Sequence, residues 1–410
     1  MHEPAGLIAI YSSKAMFPMK PKALIFCLCL LILMLCGCED RVDLKAPTVQ
    51  TPQSRTEVRH ALDPADVVTG IDRPVSKTPV SDLKVGFILL GKVGDYGFSY
   101  SQNQGRLALS DEFGLDTIVI ENVPEDETCL KSIQILIDNG CRIIFTSSFG
   151  FSKYAALMAD KYPDVYFFNC AGNDLRPNLS QYFGRIYQAR YLTGIVAGLR
   201  TQTGRIGYVA AIPIPEVVRG VDAFALGVKF VNPEARIHLQ WTGTWYDPAL
   251  ERDLTLGLID QGCDVIAQHQ DSVAPQVAAE ERGVWSIGYH SSMEFFAPNA
   301  YLTGASWDWA PYMIDQIRKI DSGTWESSSY WGGMFDGTVR LDRLTDKVAP
   351  GTRQVVNEET LAIKSGFEVF TGPIYDNEGL LRVKPGYTLT DEEKLSLDWL
   401  VDNIIGEIRQ

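Results

Sequence analysis

Lys84-Val85-Gly86-Phe87-Ile88-Leu89-Leu90 is a continuous apolar run behind a single lysine, and Gly91 stops it. A run this short and without alternation reads as a strand buried on both faces, as in a parallel sheet covered by helices. The residues that follow repeat that unit. Ser101 to Phe113 reads as a helix, Asp116 to Glu121 as a strand, and Glu127 to Asn139 as a helix ended by Gly140. Cys141 to Thr146 is then a strand, Ser152 to Tyr162 a helix and Val165 to Cys170 a strand.

After a long helix from about Ile186 to Leu199 the pattern begins again. Strands are expected at Arg205 to Ala210, Arg236 to Trp241, Val265 to Gln268 and Val284 to Tyr289, with helices at Val217 to Phe230, Pro248 to Asp260 and Ala274 to Glu281 between them. Two βαβ series of roughly 100 residues each predict an α/β protein of two doubly wound lobes joined by a hinge. Lobe one is expected over 83–183 plus 306–329, and lobe two over 184–305 plus 330–383. Helix Ala310 to Ile320 should return to the first lobe. Strands near Gly332 to Leu341 and a helix from Asn357 to Lys364 should finish the second. Thr390-Asp391-Glu392-Glu393 has the form of a helix-capping box, so 384–410 is expected to be a C-terminal helix.

Upstream of this body, Lys20 and Lys22 precede the apolar stretch Ala23 to Leu35, which ends in Leu35-Cys36-Gly37-Cys38. That is the layout of a secretory signal, and it is shorter than the roughly 20 residues a spanning helix requires. Translation is expected to start at Met16 or Met19. Residues 39–82 are rich in Pro, Thr, Asp and Arg without apolar period and read as a disordered tether. A formal net charge of −14 gives the chain no electrostatic reason to seek nucleic acid. Cys129, Cys141, Cys170 and Cys263 lack metal-ligand spacing and read as small apolar fillers, although Cys129 and Cys141 are near enough in sequence for a disulfide.

Ligands of doubly wound sheets bind beyond the carboxyl ends of the strands, so candidate residues are sought there. The first such turn, Gly91 to Tyr100, offers Asp95 as acceptor, Phe98 as an aromatic face and Ser99 beside them. Its glycines fall at steps of three, which is not the dinucleotide fingerprint. In the second series, Trp245 stands on a loop, Gln268 and Asp271 end one strand, and His290 ends the next. Trp307 and Trp309 follow near the expected hinge. Aromatic faces flanked by polar groups suit a planar ligand with a polar edge. Catalysis would have to draw on His269, Asp271 or His290 with a nucleophile such as Ser147 or Ser148. No nucleophile elbow, His-Glu-x-x-His helix or phosphate loop is present. A metal site from His269, Asp271 and His290 would lack tight spacing. Neither an enzyme nor a metal site or other cofactor is expected.

Taken in order, the Cys after Leu-Cys-Gly, the Gly94-Asp95-Tyr96-Gly97-Phe98 turn, Tyr182 to Gly194, Pro213 to Gly227, Ala267 to His290 and Tyr301 to Tyr312 resemble the basic-membrane-protein family. The resemblance spans Leu83 to Gln410. It implies a substrate-binding lipoprotein of an ABC importer with the type I periplasmic-binding-protein fold, acylated at Cys38, exported and held to a membrane by lipid alone, with permease subunits as partners. It also implies a purine ligand: Asp95 and Phe98 match residues that contact the base, and Trp245 matches an aromatic on its opposite face. His290 and Trp307 stand where nucleoside-binding members carry sugar-binding charges, which favours a free base over a nucleoside. Gln268, Asp271 and His290 are expected to read the ligand's edge. A riboflavin-like or other flat heterocycle, and a signalling partner in place of the permease, are the alternative expectations.

Overall fold

In the computed structural model, residues 83–408 are described. The signal region, Cys38 and the tether lie outside them. Parallel strands and helices alternate through the first series: β1 (Lys84–Ile88), α1 (Phe98–Phe113), β2 (Thr117–Ile120), α2 (Thr128–Asp138), β3 (Cys141–Thr146), α3 (Ser152–Lys161), β4 (Tyr166–Cys170) and β5 (Leu179–Gly184). The second series runs α4 (Tyr187–Arg200), β6 (Arg205–Ala210), α5 (Pro215–Val231), β7 (Arg236–Trp241), α6 (Pro248–Asp260), β8 (Val265–His269), α7 (Ala274–Arg282) and β9 (Trp285–His290). Then follow β10 (Tyr301–Trp307), α8 (Ala310–Asp321), β11 (Ser329–Gly332), β12 (Val339–Leu341), α9 (Thr352–Lys364), β13 (Ile374–Tyr375), β14 (Leu381–Val383), α10 (Asp391–Leu395) and β15 (Ile404–Ile405).

Two sheets result, in the orders β11-β5-β4-β3-β1-β2 and β12-β10-β9-β8-β6-β7-β15. Only β12 runs antiparallel to its neighbour in them, and β13 pairs with β14 in a separate hairpin. Each sheet is covered on both faces, which is why its central strands carry unbroken apolar runs. On one face of the first sheet Phe87, Phe145 and Phe168 stack in a row at 5.0 and 4.7 Å between centroids. Ile88, Ile144 and Phe167 point the other way, into a core with Ile133 and Leu136 of α2. In the second lobe α4 and α5 touch backbone to backbone. A Cβ at Gly194 would collide with the carbonyl of Phe224, and one at Gly227 with that of Tyr191.

Three segments cross between the sheets: β5 to α4, β10 to α8, and β11 to β12. Two are tied together. Arg185 donates to the Trp331 carbonyl at 3.1 Å, lies 4.1 Å over the Trp331 ring, and grips Asp391 with two nitrogens at 2.8 and 2.6 Å.

The structure corrects two expectations about boundaries. Residues 330–332 belong to β11, which pairs with β5 at the edge of the first sheet, not the second. Residues 384–410 are not a helix throughout. Thr390 and Glu393 do form the capping box, but α10 stops after five residues, and β15 then adds to the second sheet beside β7. The chain needs that strand to cover an otherwise open sheet edge. Strands β5 and β10 were not among the expected elements. Cys129, Cys141, Cys170 and Cys263 are all buried and unpaired. Among the described residues no helix is long and apolar enough to cross a membrane.

Candidate functional site

The turn after β1 folds around Asp95. Its Oδ1 accepts from the backbone N–H of Gly97 at 2.8 Å and of Tyr100 at 3.0 Å, so the carboxyl caps the start of α1. Ser99 braces the same turn by accepting from the Gly91 N–H at 2.9 Å. The turn docks directly on the second lobe. Ser291 Oγ donates to the Tyr96 carbonyl at 2.6 Å, and Tyr96 meets Phe296 edge-on at 4.7 Å. A Cβ on Gly97 would run into the main chain of Asp271. The Phe98 N–H supports the Asp271 carboxyl. The lobes are therefore closed on one another.

Asp271 follows β8, and its N–H bonds the Trp245 carbonyl at 3.0 Å. His290 ends β9 in a left-handed backbone conformation, with φ 66°. Its Nδ1 accepts from the indole N–H of Trp307 at 3.0 Å, and its Nε2 lies 2.7 Å from Asp271 Oδ1. An indole nitrogen can only donate, so the imidazole proton sits on Nε2, facing Asp271. Burial holds His290 well below its ordinary pKa, hence neutral. Burial and the neighbouring Asp271 raise the Asp95 carboxyl to about 7. Burial likewise raises Asp271 to about 7, with His269 and the Phe98 N–H opposing.

Phe98 is half-buried and meets three rings edge-on: His290 at 5.7 Å, Trp309 at 6.1 Å and Trp307 at 6.4 Å. Trp307 and Trp309 stack at 4.7 Å, and Phe183 closes on Trp307 at 5.3 Å. Trp245 is half-buried on the opposite lobe, 6.5 Å from the His269 ring. The structure thus gathers Asp95, Phe98, Ser99, Asp271, His290 and Trp307 at one junction, with Trp245 attached through Asp271.

Gln268 does not join them. Strand alternation sends its side chain to the α7 side of the sheet, where Nε2 donates to the Ser272 carbonyl at 3.1 Å and Gln276 Oε1 at 2.8 Å. Alternation sends His269 to the other face, toward α4 and α5. There lie groups the sequence reading did not single out: Arg190, Glu216 and Tyr289. His269 Nε2 is 3.2 Å from Glu216 Oε2, and Arg190 lies 3.6 Å over the Tyr289 ring. Both nitrogens of His269, Glu216 Oε1 and Gln270 Oε1 are buried without a hydrogen-bond partner. A charged Arg inside the apolar helix Tyr187–Arg200 was the one visible signal for this cluster.

A cavity of about 490 Å³ opens beside the docked turn, lined by Asp95, Tyr96, Tyr246, Arg252, Val273 and Phe296 among others. A larger one of about 750 Å³ lies elsewhere, between α9 and residues 334–344, and touches none of the candidate residues. Among the described residues no group of three or more His, Cys, Asp or Glu is arranged to hold a metal ion. Ser148 donates to Glu125, while Ser147 Oγ is buried with no base against it.

The sequence model of the Bmp family, described as ABC transporter substrate-binding protein PnrA-like, matches residues 83–369. A purine-binding protein of Brucella abortus (strain 2308) is 37% identical over 331 residues, 80% of this chain and 94% of that protein. A Haloferax volcanii protein provisionally named an ABC transporter glucose-binding protein is 36% identical over 306 residues, 72% of this chain and 76% of its own. An ABC transporter solute-binding protein from Conexibacter woesei superposes with a TM-score of 0.61 at 23% identity, over 69% of this chain and 97% of that one. That likeness fixes the fold as the type I periplasmic-binding-protein fold.

Proposed function

This chain belongs to the Bmp family of PnrA-like ABC transporter substrate-binding proteins, and from that premise we propose that it is an importer's lipid-anchored receptor whose lobes close on a purine. The ligand is a free base in preference to a nucleoside. One observation carries this reading: Asp95 and Phe98 of the first lobe meet Asp271 and His290 of the second at a ring-lined junction. Stacking faces and carboxyl acceptors are what a flat, polar-edged heterocycle requires.

The preference for a base rests on His290 and Trp307. Their polar nitrogens engage each other and Asp271, and the rings pack against Tyr289 and Trp309. A ribose placed there would meet mainly ring faces, with His290 Nε2 and the Asp271 carboxyl the few polar atoms within its reach, at a cost of about 1–3 kcal/mol for each hydroxyl left unpaired. Opposite Phe98, Trp245 supplies the second stacking face. The chain performs no chemistry on its ligand; it binds, closes and hands over to a permease. Attachment to the membrane is through acylated Cys38, on the extracytoplasmic side.

A thermal-shift panel tests this. Adenine, guanine and hypoxanthine should raise the melting temperature well above adenosine, inosine, riboflavin or glucose, because stabilisation grows with ligand concentration over Kd. Trp245→Ala should weaken base binding by about 1–3 kcal/mol. A shift given by glucose or riboflavin and by no purine would contradict the proposal.

A further inference from the structure

Trp309 stands just ahead of α8 and is the largest side chain fully buried among the described residues. A Cβ on Gly105 would meet the Trp309 Cβ at 2.9 Å, so α1 leaves it no room to shift on that side. Its indole N–H donates to Ser101 Oγ at 3.1 Å, and Ser101 Oγ donates in turn to the Phe98 carbonyl at 2.7 Å. A serine hydroxyl has a single proton, and the indole N–H approaching one side of the oxygen turns that proton toward Phe98. Ser101 is itself buried, where low dielectric strengthens both bonds.

Trp307 is bonded the other way. It lies in β10 opposite Val339, and its N–H goes to His290 Nδ1 at 3.0 Å. The two indoles stack at 4.7 Å with 19° between their planes. Only Asp308 separates them, where the chain crosses from the second sheet to α8. That residue is held as well: its N–H donates to the Thr338 carbonyl at 2.9 Å, and its Oδ1 accepts from the Ala310 N–H at 3.1 Å. Phe183, beside the crossing from β5 to α4, tilts against both indoles at 5.3 and 6.4 Å. Two stacked rings thus have their N–H groups tied to opposite lobes, one to Ser101 in the first and one to His290 in the second.

We propose that Trp309 is a positioning residue of the cleft. Through Ser101 it fixes the main chain from which Phe98 projects, and through the stack with Trp307 it ties that placement to His290 on the other lobe. Being wholly buried, it acts without touching the ligand. Rotation of the lobes about the 307–309 crossing has to slide one indole over the other, so the full stack belongs to the closed arrangement. This inference rests on the binding reading above and adds how the stacking face of the first lobe is held.

Calorimetric titration of the whole mature protein with adenine tests it, at a temperature well below the melting of every variant. Ser101→Ala strips the indole of its acceptor and Phe98 of its donor, and should lower adenine affinity about tenfold or more, the scale of a buried donor left unpaired. Ser101→Thr keeps the hydroxyl, which in a helix still reaches the i−3 carbonyl, and should recover most of that loss. Trp309→Phe should lose about as much as Ser101→Ala, and the double variant no more than either alone. The serine variants carry the test even if Trp309→Phe folds poorly. A second readout needs no ligand. Stacked indoles give a paired circular-dichroism band in the far ultraviolet, assigned here by its loss in Trp307→Phe. That band should weaken in ligand-free Ser101→Ala and persist in Ser101→Thr. A lowered melting temperature with unchanged adenine affinity in Ser101→Ala, or fully additive losses in the double variant, would reduce Trp309 to core packing and overturn the proposal. If no purine binds the wild type, the purine reading falls and the band alone decides the positioning role: a band unchanged in Ser101→Ala would overturn that too.

Discussion

Asp271 is tied to Trp245 and His290 in its own lobe and meets the first lobe at Gly97 and Phe98. It takes the Trp245 carbonyl through its own N–H, faces His290 at 2.7 Å, and carries Gly97 against its main chain. Its carboxyl and that of Asp95 are both raised from an ordinary 3.8 to about 7. The closed protein therefore holds more protons than the unfolded chain between about pH 4 and 7, so stability must fall as pH rises through that window. Glu251, raised to about 7 chiefly by burial, adds to the same slope. The groups facing Asp271 are Asp95, Glu216 and neutral His269 and His290. Asp271→Asn should flatten the fall in ligand-free melting temperature between about pH 4 and 7 without abolishing it, and should weaken ligand binding. Scans at several pH values check this, and equal slopes in the two proteins would contradict it. At this scale the sequence was only partly legible. Asp95, Phe98 and His290 announced themselves by standing at strand ends. Glu216 did not, because a carboxylate after a Pro-Ile-Pro turn looks like any first-turn helix residue. Gln268 misled because strand-end position says nothing about which face a side chain takes.

The β1–α1 turn is the element on which closure depends. Gly97 has no Cβ to collide with Asp271, and that absence lets the turn reach the second lobe. Gly97→Ala should leave each lobe folded yet keep the cleft from shutting, lowering ligand affinity about tenfold or more. Small-angle scattering should show the wild type contracting on ligand addition and the variant staying at its open radius. Equal contraction in both would refute this role. Most helices and strands could be read from their apolar periods. The exceptions have a physical reason. In β5 the buried Ser180 and Gln181 are polar, and they are satisfied sideways by the Ser328 N–H and Asn169, so no apolar run marks the strand. The box at Thr390 gave the start of α10 correctly, but nothing local gives its end. Leu400, Val401 and Ile404 are claimed by the second lobe's core instead.

For the molecule as a whole, two sheets with facing carboxyl ends and three crossings make a body that can open and shut. The hinge is held in part by the Arg185–Asp391 pair, which joins the C-terminal segment to the crossing after β5. The two-lobed architecture was legible because it depends only on the repeat of βαβ units. The junction between the lobes was less so, since its members come from segments nearly 200 residues apart, as with Tyr96 and Ser291. A crystal structure of the protein grown with adenine tests the central claim most directly. It should show the ring between Phe98 and Trp245, with its N–H edges on Asp95 and Asp271. Density for the base outside the cleft, or a cleft that stays shut by its own side chains with no base inside, would contradict it.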